Sequence, residues 1–266
     1  MKTQMTAIAA AIALAMSASA LAQTSPGPEF NGSRNTIDGM AGPSYDGSGL
    51  GNDSLIDQTG DFNSTNVVQW GTQDSRIKQI GDFNTANVEQ DDVVGGSGVG
   101  ENYSLIEQRD KGNRADVSQV GDENDSIIDQ RGGKFGGSWA FNYANVVQDG
   151  ELNDSWVEQD GYRNSSSVVQ DGELNDSYVK AVGDFNKTYT TQTGDELDSD
   201  IILSGNGNYT AVEQTGYGHD SFVRSVGNYN YNSVNQSGAM GDPSQQNFSQ
   251  IRTTGSFNYN YVQQGN

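Results

Sequence analysis

Cysteine is absent from this sequence, histidine occurs once, proline four times, and Lys and Arg together number 14 of 266 residues. Without cysteine there is no disulfide and no thiolate metal site. So few and so scattered cations exclude nucleic acid as a partner, because phosphate binding needs Lys and Arg. Against them stand 35 acidic residues, for a formal charge of −21. Hydrophobic residues make up only 33%, too few to fill a conventional globular core. Such a chain is either disordered or regular enough to bury polar side chains in repeating ladders.

Long apolar runs are missing after residue 22. Before it, Lys2 precedes an apolar run from Ala7 to Met16 and a small-x-small site, Ala20-Leu21-Ala22. That order predicts a secretory signal peptide over 1–22, with the mature chain starting at Gln23. The run is too short for a transmembrane helix, and no transmembrane segment is expected elsewhere. Residues 23–51, rich in Gly, Pro and Ser, read as a flexible leader.

What the chain does have is one unit repeated from Asn52 to its end, Asn-x-small-x-Val/Ile-x-Gln-x-Gly-x-x, about 11 residues long. Eighteen copies start at Asn52, Asn63, Gln73, Asn84, Asn102, Asn113, Asn124, Asn142, Asn153, Asn164, Asn175, Asn186, Asp198, Asn208, His219, Asn230, Asn247 and Asn258. The fifth position is Val or Ile in all copies but one, where Thr190 stands. The seventh is Gln58, Gln69, Gln79, Gln90, Gln108, Gln119, Gln130, Gln148, Gln159, Gln170, Gln192, Gln214, Gln236 and Gln264, replaced elsewhere by Ala181, Ser204, Ser225 and Thr253.

Positions one, three, five and seven share a period of two, so all four side chains lie on one face of a strand. The following x-Gly-x-x turns the chain. Two copies make one strand-turn-strand coil. The expected fold is all-β, a two-sheet β-solenoid of about 18 short strands in nine coils, roughly 43 Å long at ordinary strand spacing. Val and Ile form a thin core. The fifteen Asn at position one and the fourteen Gln at position seven form amide ladders, each amide donating to the next, which is how buried amides are tolerated. Three inserts, 91–101, 131–141 and 237–246, lengthen turns without breaking strands and read as surface loops.

Positions two, four and six point outward. In odd copies the second is mostly acidic (Asp53, Asp74, Asp125, Asp154, Asp176, Asp220), and these should stack as a column. The fourth gives an outer apolar stripe, Leu55, Leu105, Ile127, Trp156, Tyr178, Ile201 and Phe222. Such a stripe either packs fibres side by side or only steadies its own sheet. Even copies are polar outside, with Tyr143, Tyr209, Tyr231 and Tyr259 at the second position. No capping element is visible at either end of the array. Open ends would expose strand edges, which natural monomers avoid; here the expectation is an open-ended stack growing head to tail.

Asn84-Thr-Ala86-Asn-Val-Glu-Gln90 and Asn142-Tyr-Ala144-Asn-Val-Val-Gln148 match the second half of the motif Ser-x5-Gln-x-Gly-x-Gly-Asn-x-Ala-x3-Gln. On these residues the repeat region resembles the curlin family, the subunits of bacterial curli fibres. The resemblance implies export across both membranes of a Gram-negative cell through an outer-membrane pore. It also implies assembly started by a nucleator subunit, an extracellular amyloid fibre on the cell surface, and a role in biofilm matrix and adhesion. The chain departs from the family in its larger number of coils, its acidity, its inserts, and Asn where curlin odd strands begin with Ser.

Catalytic chemistry is not legible. His219 sits at an Asn ladder position with no Ser-His-Asp or His-x-x-x-His partners, and reads as a structural substitute. No cofactor or metal site is expected; Gly95-Gly-Ser-Gly98 is a single fragment of a calcium repeat. The rival readings are a monomeric β-solenoid adhesin, an ice-binding solenoid without the flat outward Thr array that would need, and a β-helix polysaccharide enzyme without a clustered acid and base.

Overall fold

A computed structural model of the chain describes residues 52–91, 101–132 and 139–265. The expected signal peptide and leader lie outside them. Eighteen strands alternate between two nine-stranded parallel sheets. One sheet holds, in spatial order, β1 (Asp53–Thr59), β3 (Thr72–Ile80), β5 (Glu101–Arg109), β7 (Asp125–Arg131), β9 (Asp154–Asp160), β11 (Asp176–Val182), β13 (Asp198–Ser204), β15 (Asp220–Val226) and β17 (Phe248–Thr254). The other holds β2 (Ser64–Trp70), β4 (Thr85–Asp91), β6 (Arg114–Asp122), β8 (Tyr143–Glu151), β10 (Ser165–Glu173), β12 (Lys187–Asp195), β14 (Tyr209–Tyr217), β16 (Tyr231–Ser237) and β18 (Tyr259–Gln264). The protein is a two-sheet β-solenoid.

Stacking is in register. Ser155 lies beside Ser177 and Val157 beside Val179, so equivalent positions superpose from coil to coil. The alternation of small, β-branched and amide side chains therefore becomes four inward columns. Val146, Val157, Val168 and Val179 are wholly buried in the core, and β-branched side chains suit the extended backbone. One residue per strand supplies most of the apolar contact, so the core is thin.

The turns explain the repeat's glycine. Gly150 has φ 132°, and a Cβ there would lie 2.0 Å from the carbonyl oxygen of Gly172 on the next coil. The close approach of successive turns excludes any side chain. Two residues later comes a left-handed non-glycine, such as Leu152 (φ 62°) or Phe185 (φ 57°). Each costs roughly 1–2 kcal/mol. Coil-to-coil backbone bonds hold them in place, for example Leu174 N–H to the Glu151 carbonyl at 3.0 Å.

One copy is displaced by a residue from its expected start. Asp198 pairs with Asp176 and with Asp220, both at position two, so the thirteenth copy begins at Leu197. Ile201 is therefore a core residue, fully buried, and does not belong to the outer stripe; Asp200 stands there instead. Leu203, not Ser204, occupies position seven. A one-residue slip moves every side chain of a strand to the opposite face. Requiring a polar residue at position one selects Asp198, whereas eleven-residue steps from Asn186 to Asn208 put the start at 197.

The inserts lie between strands. Residues 92–100 of the first are outside the described residues. The third contains a short 3-10 turn, Pro243–Gln245, capped by the Asp242 carboxylate. The second is more than a surface loop. Its Ala140 is buried, its Trp139 bridges to Lys111, and the Trp139 ring stacks between Phe83 (5.3 Å) and Phe141 (4.9 Å).

Candidate assembly interface

The two amide columns turn out to be different devices. In the Gln column each Nε2 donates to the Oε1 of the next coil, as expected. On the even strands the chain is unbroken, from Gln69 to Gln90 (2.9 Å), on through Gln119, Gln148, Gln170, Gln192, Gln214 and Gln236, to Gln264 (2.9 Å). The same Nε2 also reaches backbone across the coil, as from Gln148 to the carbonyls of Asp125 and Asn153. On the odd strands the chain runs from Gln58 through Gln79, Gln108 and Gln130 to Gln159 and stops. Ala181 offers no acceptor, and Gln159 Nε2 turns to the Ser166 hydroxyl at 2.9 Å.

Asn at position one does not simply donate amide to amide. Its Oδ1 accepts the backbone N–H of its counterpart on the next coil, and its Nδ2 donates to the carbonyl of the next coil's turn. Asn164 shows both: its Oδ1 accepts from Asn186 N–H at 3.0 Å, and its Nδ2 donates to Gly183 at 2.7 Å. The side chain is short and sits where the turn enters the strand, so it reaches backbone as well as its own kind; its Nδ2 also donates to the Oδ1 of the preceding coil, as from Asn186 to Asn164 at 3.1 Å and from Asn175 to Asn153 at 2.9 Å, opposite in direction to the Gln ladder. The even column is continuous through Asn63, Asn84, Asn113, Asn142, Asn164, Asn186, Asn208, Asn230 and Asn258. The odd column runs through Asn52, Gln73, Asn102, Asn124, Asn153 and Asn175 to the N–H of Leu197, which has no side-chain acceptor to pass on. His219 resumes it. Its Nδ1 accepts from Asn247 N–H at 3.1 Å, and its Nε2 lies 3.0 Å from the Thr215 carbonyl, which assigns the proton to Nε2. Burial holds its pKa below the ordinary value, against the raising effect of the Thr215 hydrogen bond.

The outward columns differ from expectation in exposure. Asp125, Asp154, Asp176, Asp198 and Asp220 stand on successive strands. In the stripe Leu55, Leu105 and Trp156 are partly exposed, but Ile127, Tyr178 and Phe222 are buried, so the expected apolar stripe is exposed only in part. Neighbours in register cover ring faces: Trp156 meets Tyr178 edge to face at 5.9 Å, and Arg252 lies 5.6 Å from the Phe222 centroid. Burial, then Glu158, raises the Tyr178 phenol pKa.

One surface feature escaped the sequence reading. An aromatic recurs just before the even-strand Asn: Phe62, Phe83, Phe141, Phe185, Tyr229 and Phe257. All have φ near +55°, and their rings line one edge of the solenoid. Gly112, Arg163 and Gly207 interrupt this column; Trp139 from the second insert fills the first gap and Tyr162 bridges the second, edge-on to Phe141 and Phe185. Interior rings are about half exposed (Phe83 46%, Phe141 43%), whereas the end rings Phe62 (77%) and Phe257 (79%) each present a bare face. The triplets Asp61-Phe-Asn63, Asp82-Phe-Asn84 and Asp184-Phe-Asn186 carried the signal.

Among the described residues no group of three or more His, Asp or Glu could hold a metal ion, and no helix is long and apolar enough to cross a membrane. Among them, too, β1 and β2 pair with other strands on one side only, as do β17 and β18. No family model and no curated protein matches the chain.

Proposed function

We propose that this protein is a structural subunit of an extracellular, curli-like amyloid fibre. Coils of successive copies stack head to tail, and the polymer serves as biofilm matrix and adhesive. The observation that carries the reading is the pair of one-sided end coils on a stack whose internal layers are all joined by the even-strand Asn and Gln ladders. A layer added to either end repeats contacts the chain already makes eight times over. Strand edges of this kind are templates for further pairing, and a heterologous contact that does not close gives an open filament. The reading includes secretion, growth from a nucleator and passage through an outer-membrane pore, all implied by the curlin resemblance. It assigns the chain no catalytic role.

The test follows thioflavin fluorescence of the purified chain, freshly released from denaturant, with and without preformed seeds, and images the product. The expected result is a lag abolished by seeds and thin unbranched fibres. A soluble β-rich monomer indifferent to seeds would overturn the fibre and favour the monomeric adhesin.

A further inference from the structure

The internal ladders are directional, and this sets the geometry of a joint between copies. Every Gln–Gln bond runs from Nε2 of one coil to Oε1 of the coil nearer the C-terminus. Every column Asn accepts, through Oδ1, an N–H from that same side. Turn N–H groups donate back toward the N-terminal coil, as Gly183 does to Asp160 and Phe185 to Tyr162. The first coil therefore presents turn and Asn N–H groups together with Gln Oε1 outward, and the last presents Asn Oδ1 and turn carbonyls together with the Gln264 Nε2. Two first coils would set turn N–H against turn N–H and Gln Oε1 against Gln Oε1, and two last coils carbonyl against carbonyl and Asn Oδ1 against Asn Oδ1, each leaving unpaired groups. Only last coil on first coil keeps the direction of the ladders.

Two settings about the long axis satisfy that rule, because the halves of a coil are near-equivalent. Either β17 stacks on β1 and β18 on β2, or the sheets exchange. The core does not distinguish them, since Ile251 and Val262 meet Val or Ile either way. The outer positions do. We propose, building on the fibre reading, that a second copy of this chain docks in the sheet-matched setting, with Phe257 stacked on Phe62 and Arg252 facing Asp57. The rings are the two most exposed of the aromatic edge, and each has a ring neighbour on its inner side only, whereas Phe83 and Phe141 have one on both sides. Each stacks on its inner neighbour, Phe62 on Phe83 at 4.9 Å and Phe257 on Tyr229 at 5.3 Å, close to the separation that coil stacking imposes. The sixth-position column of the odd sheet ends in two stacked arginines, Arg224 and Arg252, and begins with Asp57. Matching sheets bring the acid onto the like-charged pair. Exchanging them would set Arg252 against Val68 and Asp57 against Gln263.

The absence of native cysteine makes the test direct. The full chain carrying Asp57→Cys with Arg252→Cys is grown on wild-type seeds, treated with a thiol crosslinker spanning about 8 Å, dissolved and run on a denaturing gel. The control carries Asp57→Cys with Gln263→Cys. Within one chain Asp57 and Arg252 stand eight coil steps apart, about 38 Å at strand spacing, so a crosslink between them joins two copies. The expected result is a ladder of multimers from the first variant and monomer from the control. The reverse pattern, equal crosslinking of both, or fibres in which neither crosslinks would each overturn the sheet-matched joint while leaving the fibre intact. Wild-type chain that forms no fibre removes the fibre reading, and the joint with it. If the cysteine variants fail to elongate, charge reversal decides. Arg252→Glu is expected to slow seeded elongation about threefold and added Asp57→Arg to restore it, as for an exposed ion pair; no rescue overturns the contact.

Discussion

At the scale of single residues the solenoid is held by polar groups that a globular core would reject, and its weak points are those whose partners are missing. Thr190 takes the core position that is Val or Ile in every other copy; it is buried and its hydroxyl has no hydrogen-bond partner. Leaving such a group unpaired costs about 1–3 kcal/mol. Thr190→Val, close in shape, is therefore expected to stabilise the fold by about 1 kcal/mol, read as a higher denaturant midpoint; a lower midpoint would mean that the hydroxyl is satisfied. His219 gives a pH dependence. Its folded pKa lies below the ordinary 6.5, so the unfolded chain binds more protons between the two values. Its contribution is fully present above pH 6.5 and falls as pH drops through that window. Acid also relieves the net negative charge, so the informative quantity is the difference from His219→Asn, which lacks the imidazole. Melting temperatures at pH 7.5 and 5 should fall more in wild type than in the variant.

At the scale of elements, the turn is as determining as the strand. A glycine at φ above 100° followed by a left-handed residue brings successive coils within backbone contact, and the aromatic carried by that second residue stacks along the edge. Where Gly112 leaves a gap, the second insert supplies Trp139. Trp139→Ala removes two stacked contacts and is expected to destabilise by about 1–2 kcal/mol, read as a lower denaturant midpoint. Trp139→Phe should keep most of the stability. Equal loss in both variants would mean that the ring's stacking is not what anchors the insert.

At the scale of the molecule, the chain carries a formal charge of −21, nearly all of it in the repeat region from Asn52 onward, and joining copies brings like charge together. Self-repulsion of this kind is screened over about 10 Å at 0.1 M salt. Raising ionic strength from 0.01 to 0.15 M should shorten the assembly lag, as should lowering the pH toward the sequence pI of 4.1. A lag insensitive to both would place the barrier in folding of the coil and not in encounter between copies. The directional ladders add that growth is polar: seeds labelled at one end should extend unequally.

Much of this was legible in the sequence because the code is local and repeated. A period of two inside a period of eleven fixes which side chains face inward, and eighteen copies make the pattern robust to substitutions. The fold class, the Asn and Gln columns and the polar core follow from that periodicity alone. Register at a degenerate copy did not: at Leu197 the polar marker is gone, and only stacking against Asp176 and Asp220 decides that Ile201 turns inward. Nor did the direction of the ladders, since a side chain's reach to backbone or to amide depends on where the turn delivers it. The burial of Ile127, Tyr178 and Phe222 and the repair of the aromatic edge by Trp139 likewise rest on contacts between residues far apart in the chain. Periodicity specifies faces; only stacked coils specify partners.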